Sequence, residues 1–340
     1  MDPRSKYLSA SRVKTLRQCP MKFYLSYCSP DKIEMPQSWG AANGTLLHEV
    51  FEEYASGERR DWKKNLMEKF RLAMADKTIR ESVFKFSRGT KITTEESVAN
   101  ARYKKCGQCP FVQKMADGTP FCLAMGKPAN EFKGSPRSMI TDTVKLAYAI
   151  FDDDFNPIDD MKVVGVEHKF EITFENGIST LGFIDLVSEV NEDTIEIRDY
   201  KSAKRIPSDR EILEGWVAKD IQMQMYYAVA KYSCDNNIPP FSDKYKNIFV
   251  TIHFLRKTPI TMVYTEKDYD QVLRTLKQEF DRIRAIRNPL PAGAWGKDKN
   301  WICNYCNADE CNKACIKIHG KTRKEIIDEH QKWNIQRPAE

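Results

Sequence analysis

The 340-residue sequence contains no uninterrupted apolar run near the roughly 20 residues of a membrane-spanning helix, so a bilayer location is not expected. Its opening stretch, MDPRSKYLSASR, is polar and mixed in charge and lacks the hydrophobic segment of a secretory signal. An intracellular protein is therefore expected, cytoplasmic or nucleoid-associated if the source is prokaryotic or viral. There is no internal repeat and no substantial low-complexity tract, which sets aside solenoids and long disordered linkers. A GxxxxGK[ST] phosphate loop is also missing, so the chain is not expected to be an ATP-driven motor. A strong excess of either charge is missing: 54 basic against 48 acidic residues leave +6, compatible with a polyanionic partner without requiring one.

What is present is 41% hydrophobic and 30% charged residues, enough to bury one large core or two modest ones. A chain of this size does not need disulfide staples, and its ten cysteines are unevenly placed. Cys303, Cys306, Cys311 and Cys315 crowd into CNYCNADECNKAC, while Cys106 and Cys109 form a separate C-x2-C. Both spacings suit metal-stabilised loops. The terminal four could together hold zinc; alternatively Cys19, Cys303, Cys306 and one of Cys311 or Cys315 hold a [4Fe-4S] cluster that clips the two ends together. Cys106 and Cys109, with Cys122, are candidate structural zinc ligands. Cys28 and Cys234 read as ordinary packed thiols.

Periodicity divides the rest. SASRVKTLRQCPMKFYL reads as a serine-capped helix, a boundary near Pro20 and a second short helix. NGTLLHEVFEEYASG reads as a helix between Asn43 and Gly57 with His48 and Glu52 one turn apart on one side. MKVVGVEHKFEITF, ISTLGFIDLVSEV and TIEIRDYKSA are successive strands of a meander. Helical DIQMQMYYAVAKY follows, with Gln222 and Tyr226 at i and i+4, then strand KNIFVTIHFL and helix KDYDQVLRTLKQEFDRIRAIR. This order predicts an α/β fold with four parts: 1–57, an N-terminal helical segment; 58–160, a mostly helical insertion carrying the C-x2-C; 161–290, the catalytic core; 291–340, a Cys-rich closure and basic tail. The insertion is expected to restrict access to the core or to bind a partner.

The chemistry gathers at EIRDYKSAK. A period-two strand puts Ile195, Ile197, Asp199 and Lys201 on one side, so a carboxylate and an ammonium emerge together where an apolar face ends. Asp185, placed near the end of the preceding strand, can approach Asp199 across an antiparallel pair. Two close carboxylates need a cation, and hard oxygen ligands with the Tyr200 main-chain carbonyl suit Mg2+ or Mn2+. Such a centre can hydrolyse phosphodiesters, with Lys201 orienting water and offsetting charge. His48 adds a nitrogen ligand, Glu52 orients that ring or a water, and Gln222 and Tyr226 present hydrogen bonds to substrate. Each short motif alone also fits a solvated strand or helix face; their combination carries the reading.

In combination, GTLLH (44–48), GFID (182–185), DYK (199–201), QMQMY (222–226), CPMKFYL from Cys19 and the terminal cysteines resemble the RecB-like branch of the PD-(D/E)XK nucleases, close to the iron-sulfur enzymes related to Cas4 and AddB. The resemblance implies a restriction-endonuclease-like core with a central mixed sheet flanked by helices. It places His48 and Asp185 at metal positions, Asp199 at the variable carboxylate, Lys201 at the catalytic lysine and Gln222 and Tyr226 in the supporting helix motif. Cys19, Cys303 and Cys306 match three iron ligands. The usual C-x2-C-x5-C ending is not reproduced, since four residues precede Cys311 and eight precede Cys315. The implied activity is a DNA exonuclease, often on single-stranded ends, in recombination, repair or replication, with a separate helicase or recombination protein supplying DNA. A catalytically degenerate nucleic-acid-binding module or a metal-stabilised interaction scaffold are the non-enzymatic alternatives. FLRKT, DRIRAIR and HGKTRKE offer basic side chains for phosphate contacts.

Overall fold

The computed structural model describes residues 6–28, 39–75, 112–122, 127–128, 146–147, 151, 158–202, 206–255, 259–286, 312–313, 316–317, 320–322 and 324–325. A five-stranded mixed sheet organises them: β4 (Lys162–Thr173), β5 (Ser179–Asn191), β6 (Thr194–Lys201), β7 (Asn247–Phe254) and β8 (Ile260–Tyr264) lie side by side in that order. β4, β5 and β6 form an antiparallel meander; β6 and β7 are parallel, and β8 returns antiparallel to β7. Three short strands, β1 (Val112–Lys114), β2 (Pro120–Cys122) and β3 (Lys127–Pro128), form a separate small sheet.

The meander turns where the chain offers turn chemistry. Between β4 and β5, Gly177 takes φ +78°, and the Asn176 side chain accepts from the Ile178 amide at 3.3 Å. Between β5 and β6, Asn191 accepts from the Asp193 amide at 3.1 Å in the same way. The parallel β6–β7 pair requires a crossover. It is built from α5 (Asp209–Leu213), α6 (Trp216–Lys219) and α7 (Ile221–Asp235). Asp220 caps α7 by accepting from the Gln222 amide at 2.8 Å. Helix α8 (Glu266–Arg284) follows β8, with Asp268 accepting from both the amide and hydroxyl of Thr265 at 2.7 Å.

Helices cover both faces. On one, Val187, Ile195 and Ile197 pack with α7, α8 and the N-terminal helix α1 (Ala10–Gln18), which Ser9 caps. On the other, Leu186 and Tyr200 pack with α3 (Trp39–Ala55) and α4 (Trp62–Ala75), completed by Leu146 and Phe151. The split of Ile195 and Ile197 from Tyr200 is the alternation read from the sequence. After α1, Cys19 leaves the helix in an extended conformation, and α2 (Pro20–Phe23) begins at the expected proline. A π-helical turn, Tyr24–Cys28, follows.

Several expectations are corrected. Helix α3 begins at Trp39 instead of Asn43, because Asn43 is buried within the helix and does not cap it. Asp185 lies in the middle of β5, not near its end: the strand runs on to Asn191, and Leu186 to Glu189 pair with both β4 and β6. Strand β8 and the short helices α5 and α6 were not anticipated. Between 58 and 160 the described residues include α4, the small β1–β3 sheet and helical residues 146–147.

Candidate active site

The meander register places three carboxylates in one row. Val166 pairs with Leu186 and His168 with Ile184, so Glu167 stands opposite Asp185. On the other side Leu186 pairs with Arg198, and the next positions across are Asp185 and Asp199. Glu167 was not singled out in the sequence, where GVEHKF reads as an ordinary alternating strand. Its backbone takes φ +43°, a left-handed conformation that costs a glutamate on the order of 1 kcal/mol. Such local strain is found where surrounding structure holds a functional group in place.

His48 reaches this row from α3, whose Leu46, Leu47, Val50 and Phe51 are buried and leave His48 on the flank facing the sheet. Its Nε2–H donates to the Tyr200 carbonyl at 2.9 Å, and Nδ1 faces Asp185 Oδ2 at 3.4 Å and Glu167 Oε1 at 4.0 Å. The Tyr200 amide donates to the same Asp185 Oδ2 at 2.8 Å. These groups line a small open-sided cleft together with Phe51, Glu52 and Leu186. Glu52 lines the cleft, and the carboxylates facing the imidazole are Asp185 and Glu167.

Asp199 is fully buried, and Lys201 lies against it: Nζ is 2.8 Å from Oδ1 and 2.7 Å from Oδ2. Gln222 Nε2 donates to Asp199 Oδ1 at 2.9 Å and to the Tyr226 hydroxyl at 2.8 Å. That hydroxyl donates to the Phe183 carbonyl at 2.7 Å. Tyr226 is 3% exposed, so it braces β5 and Asp199 from within the core; the expected contact with substrate is corrected for this side chain.

Electrostatics follow from crowding. Burial pushes the Glu167 carboxyl up, and the neighbouring Asp185 charge adds to it, reaching about 7. Burial also raises Asp199, and Asp185 adds to that against the opposing pull of Lys201. Burial alone would lower the pKa of Lys201 and His48. For Lys201 the charges of Asp199 and Asp185 prevail, and for His48 the hydrogen bond and charge of Asp185 prevail, so both are held above their ordinary values. Asp185 is the carboxylate held down: burial opposes this, but His48, Lys201 and the Tyr200 amide outweigh it.

These residues fit a hard divalent cation. One ligand atom from each of His48, Glu167 and Asp185 lies within 4.8 Å of the others. Asp199 Oδ2 is buried without a completed hydrogen bond, although the Lys201 ammonium is close. An acceptor-only oxygen in that state is suited to a metal or an ordered water.

Of the cysteine expectations, Cys303, Cys306, Cys311, Cys315, Cys106 and Cys109 lie outside the described residues, as does the side chain of Cys122. Cys19 closes α1, its amide bonded to the Thr15 carbonyl at 2.9 Å and its sulfur accepting from the Lys22 amide at 3.4 Å. Cys234 is packed in the core, where burial pushes its thiol up to about 11. In DRIRAIR, Arg282 pairs with Glu279 at 3.1 Å. Arg256–Thr258 of FLRKT lie outside the described residues. Among the described residues no helix is long and apolar enough to cross a membrane.

Comparison with known proteins gives two findings. The family profile described as the PD-(D/E)XK nuclease superfamily matches residues 7–91 and 123–311. A crystal structure of a candidate exonuclease from Eubacterium rectale is similar at 12% identity, covering 84% of this chain and 82% of that one, with a TM-score of 0.39. No curated protein matches.

Proposed function

The chain belongs to the PD-(D/E)XK nuclease superfamily, whose members use divalent metals, and on that premise we propose that it is a DNA exonuclease hydrolysing phosphodiester bonds at DNA ends with a preference for single strands. The observation that carries this reading is the row of Glu167, Asp185 and Asp199 across three strands, closed by His48 and Lys201. Single-strand preference, action at ends and a place in recombination, repair or replication come from the RecB-like resemblance of the motifs.

His48, Glu167, Asp185, Asp199 and the Tyr200 carbonyl are the groups that would hold Mg2+ or Mn2+. When bound, the ion supplies charge against the scissile phosphate and an acidified water. The chain's own groups do the rest. Gln222, itself held by the Tyr226 hydroxyl, fixes Asp199 Oδ1, so Oδ2 points the same way in every turnover. Lys201 stays protonated beside Asp199 and Asp185, and therefore donates hydrogen bonds to the attacking water and to the phosphate oxygen that gains charge. It is not required as a base. The Tyr200 amide keeps Asp185 oriented, and the bond from His48 Nε2–H to the Tyr200 carbonyl holds the ring so that Nδ1, on the side of Asp185 and Glu167, would be the nitrogen offered to the ion.

We also propose the [4Fe-4S] cluster on Cys19, Cys303, Cys306 and Cys311 or Cys315, with zinc on the terminal four as the alternative and a further zinc on Cys106, Cys109 and Cys122. Cysteine spacing supports this, as does the location of Cys19 at the end of α1. Iron and zinc content of the wild type and of Cys303→Ala distinguishes the two metals. DNA would reach the site from a separate helicase or recombination protein.

The test is a time course on linear DNA labelled separately at each end, single- and double-stranded, beside closed circular single strands, with Mn2+. Progressive loss of one end label and an intact circle are expected. Equal cutting of the circle would replace the exonuclease with an endonuclease. No cutting despite DNA binding would favour a binding module.

A further inference from the structure

The catalytic row has a support that comes from the far N-terminus. Lys14, on α1, donates through Nζ to Gln222 Oε1 at 3.1 Å across 208 residues of sequence. The same ammonium lies 3.1 Å from Asp220 Oδ2, and Asp220 Oδ1 caps α7 at the Gln222 amide. Gln222 thus has its oxygen held on one side, while its two N–H bonds go to Asp199 and Tyr226 on the other. An amide side chain offers one acceptor and two donors, and here each has a partner.

We propose that Lys14 is a positioning residue for the nuclease reaction: it fixes the orientation of the Gln222 amide so that a donor, never the oxygen, faces Asp199. The inference rests on the proposed function for its kinetic consequence and on geometry for the relay itself. A terminal amide flips between two states of nearly equal shape. With the Lys14 ammonium against Oε1, the flipped state would set two N–H groups against a cation and an oxygen lone pair against the Asp199 carboxylate. Both contacts are repulsive. Without Lys14 only the second penalty remains, and the side chain is also freer to leave the site. Asp199 is fully buried, so water does not readily replace the lost donor.

Lys14 is half-exposed on the site side of α1, so the competing role is direct contact with a DNA phosphate. The two roles differ in what they couple to. A phosphate contact acts on substrate binding, weakens with salt and is independent of Gln222. A positioning contact acts through Gln222 and lowers turnover of bound substrate. Helix α1 does not depend on Lys14 for its seat, since Val13 and Leu16 are buried and Arg17 pairs with Glu279 at 2.8 Å. Lys14→Met therefore leaves the helix in place.

The experiment is a double-mutant cycle of Lys14→Met and Gln222→Ala with Lys14→Arg as the conservative rescue, reading kcat and KM on single-stranded DNA with Mn2+ and the urea midpoint in parallel. Expected are a kcat lowered about tenfold in Lys14→Met with KM unchanged, substantial recovery in Lys14→Arg, and no further loss when Lys14→Met is added to Gln222→Ala. A raised, salt-dependent KM with unchanged kcat, equal in both backgrounds, would overturn the relay while leaving the nuclease intact. If the wild type cuts no DNA, the nuclease reading falls. The urea cycle still decides the relay, since additive midpoint shifts would refute the Lys14–Gln222 coupling and non-additive ones would support it.

Discussion

Lys201 approaches both oxygens of Asp199, at 2.8 and 2.7 Å, while the carboxylate is fully buried and the lysine is about one-third exposed. The pair is unequal: the ammonium reaches water and the carboxylate does not. Removing the lysine leaves an uncompensated buried charge. Lys201→Met is expected to lose on the order of 2 kcal/mol in EDTA, a figure reduced for the exposure of the lysine. Mn2+ is expected to restore more of that loss than it adds to the wild type, by thermal unfolding with and without metal. Equal stability of variant and wild type in EDTA would contradict the pairing.

Glu167 gives the opposite sign. Its carboxyl, raised from 4.5 to about 7 by burial and by Asp185, is protonated in the fold over a range where the unfolded chain has already ionised it. Ionising the native site therefore costs stability as the pH rises through about 7. Glu167→Gln is expected to gain on the order of 1 kcal/mol at pH 8 in EDTA and to bind Mn2+ about tenfold more weakly. Calorimetric titration with Mn2+ checks the second part; undiminished affinity would remove Glu167 from the metal site.

Gly182 belongs to the GFID stretch for a packing reason. A Cβ built there would lie 2.4 and 2.9 Å from ring carbons of Phe170, itself buried in the core. Gly182→Ala is expected to cost about 1–3 kcal/mol, read from the urea midpoint. An unchanged midpoint would mean that the ring moves aside freely.

His253 carries a pH dependence unconnected with metal. Burial pulls it down, the Arg198 charge adds to that, and its pKa falls from 6.5 to about 4. The native imidazole stays neutral where the unfolded one is protonated, so stability is lost as pH falls from 6.5 towards about 4. The loss is on the order of 3 kcal/mol at most. His253→Leu is expected to flatten the stability profile between pH 6.5 and 4. A slope unchanged from wild type would assign it to other groups.

The parts of the site legible in the sequence were those written in local pattern. Asp199 and Lys201 sit two apart on a strand, and Gln222 and Tyr226 one turn apart on a helix, so periodicity alone put each pair on a common face. The antiparallel meander brought Asp185 to Asp199 as anticipated. Glu167 was hidden because its left-handed backbone and its place opposite Asp185 depend on strand register, not on any local signal. Lys14 was hidden for a related reason, since its partner lies 208 residues away. The surroundings of Tyr226 are not legible in the sequence, because an apolar helix with one polar stripe looks alike whether that stripe meets solvent or a buried carboxylate.

The most direct measurement is the Mn2+-dependent release of end label from single-stranded DNA by the wild type and by Asp199→Ala, with folding of both checked by circular dichroism. Steady release by the wild type and loss of at least about a hundredfold in the variant are expected. Release by Asp199→Ala at the wild-type rate would contradict it, because the buried carboxylate that Lys201, Gln222 and Tyr226 all hold would then have no part in the chemistry.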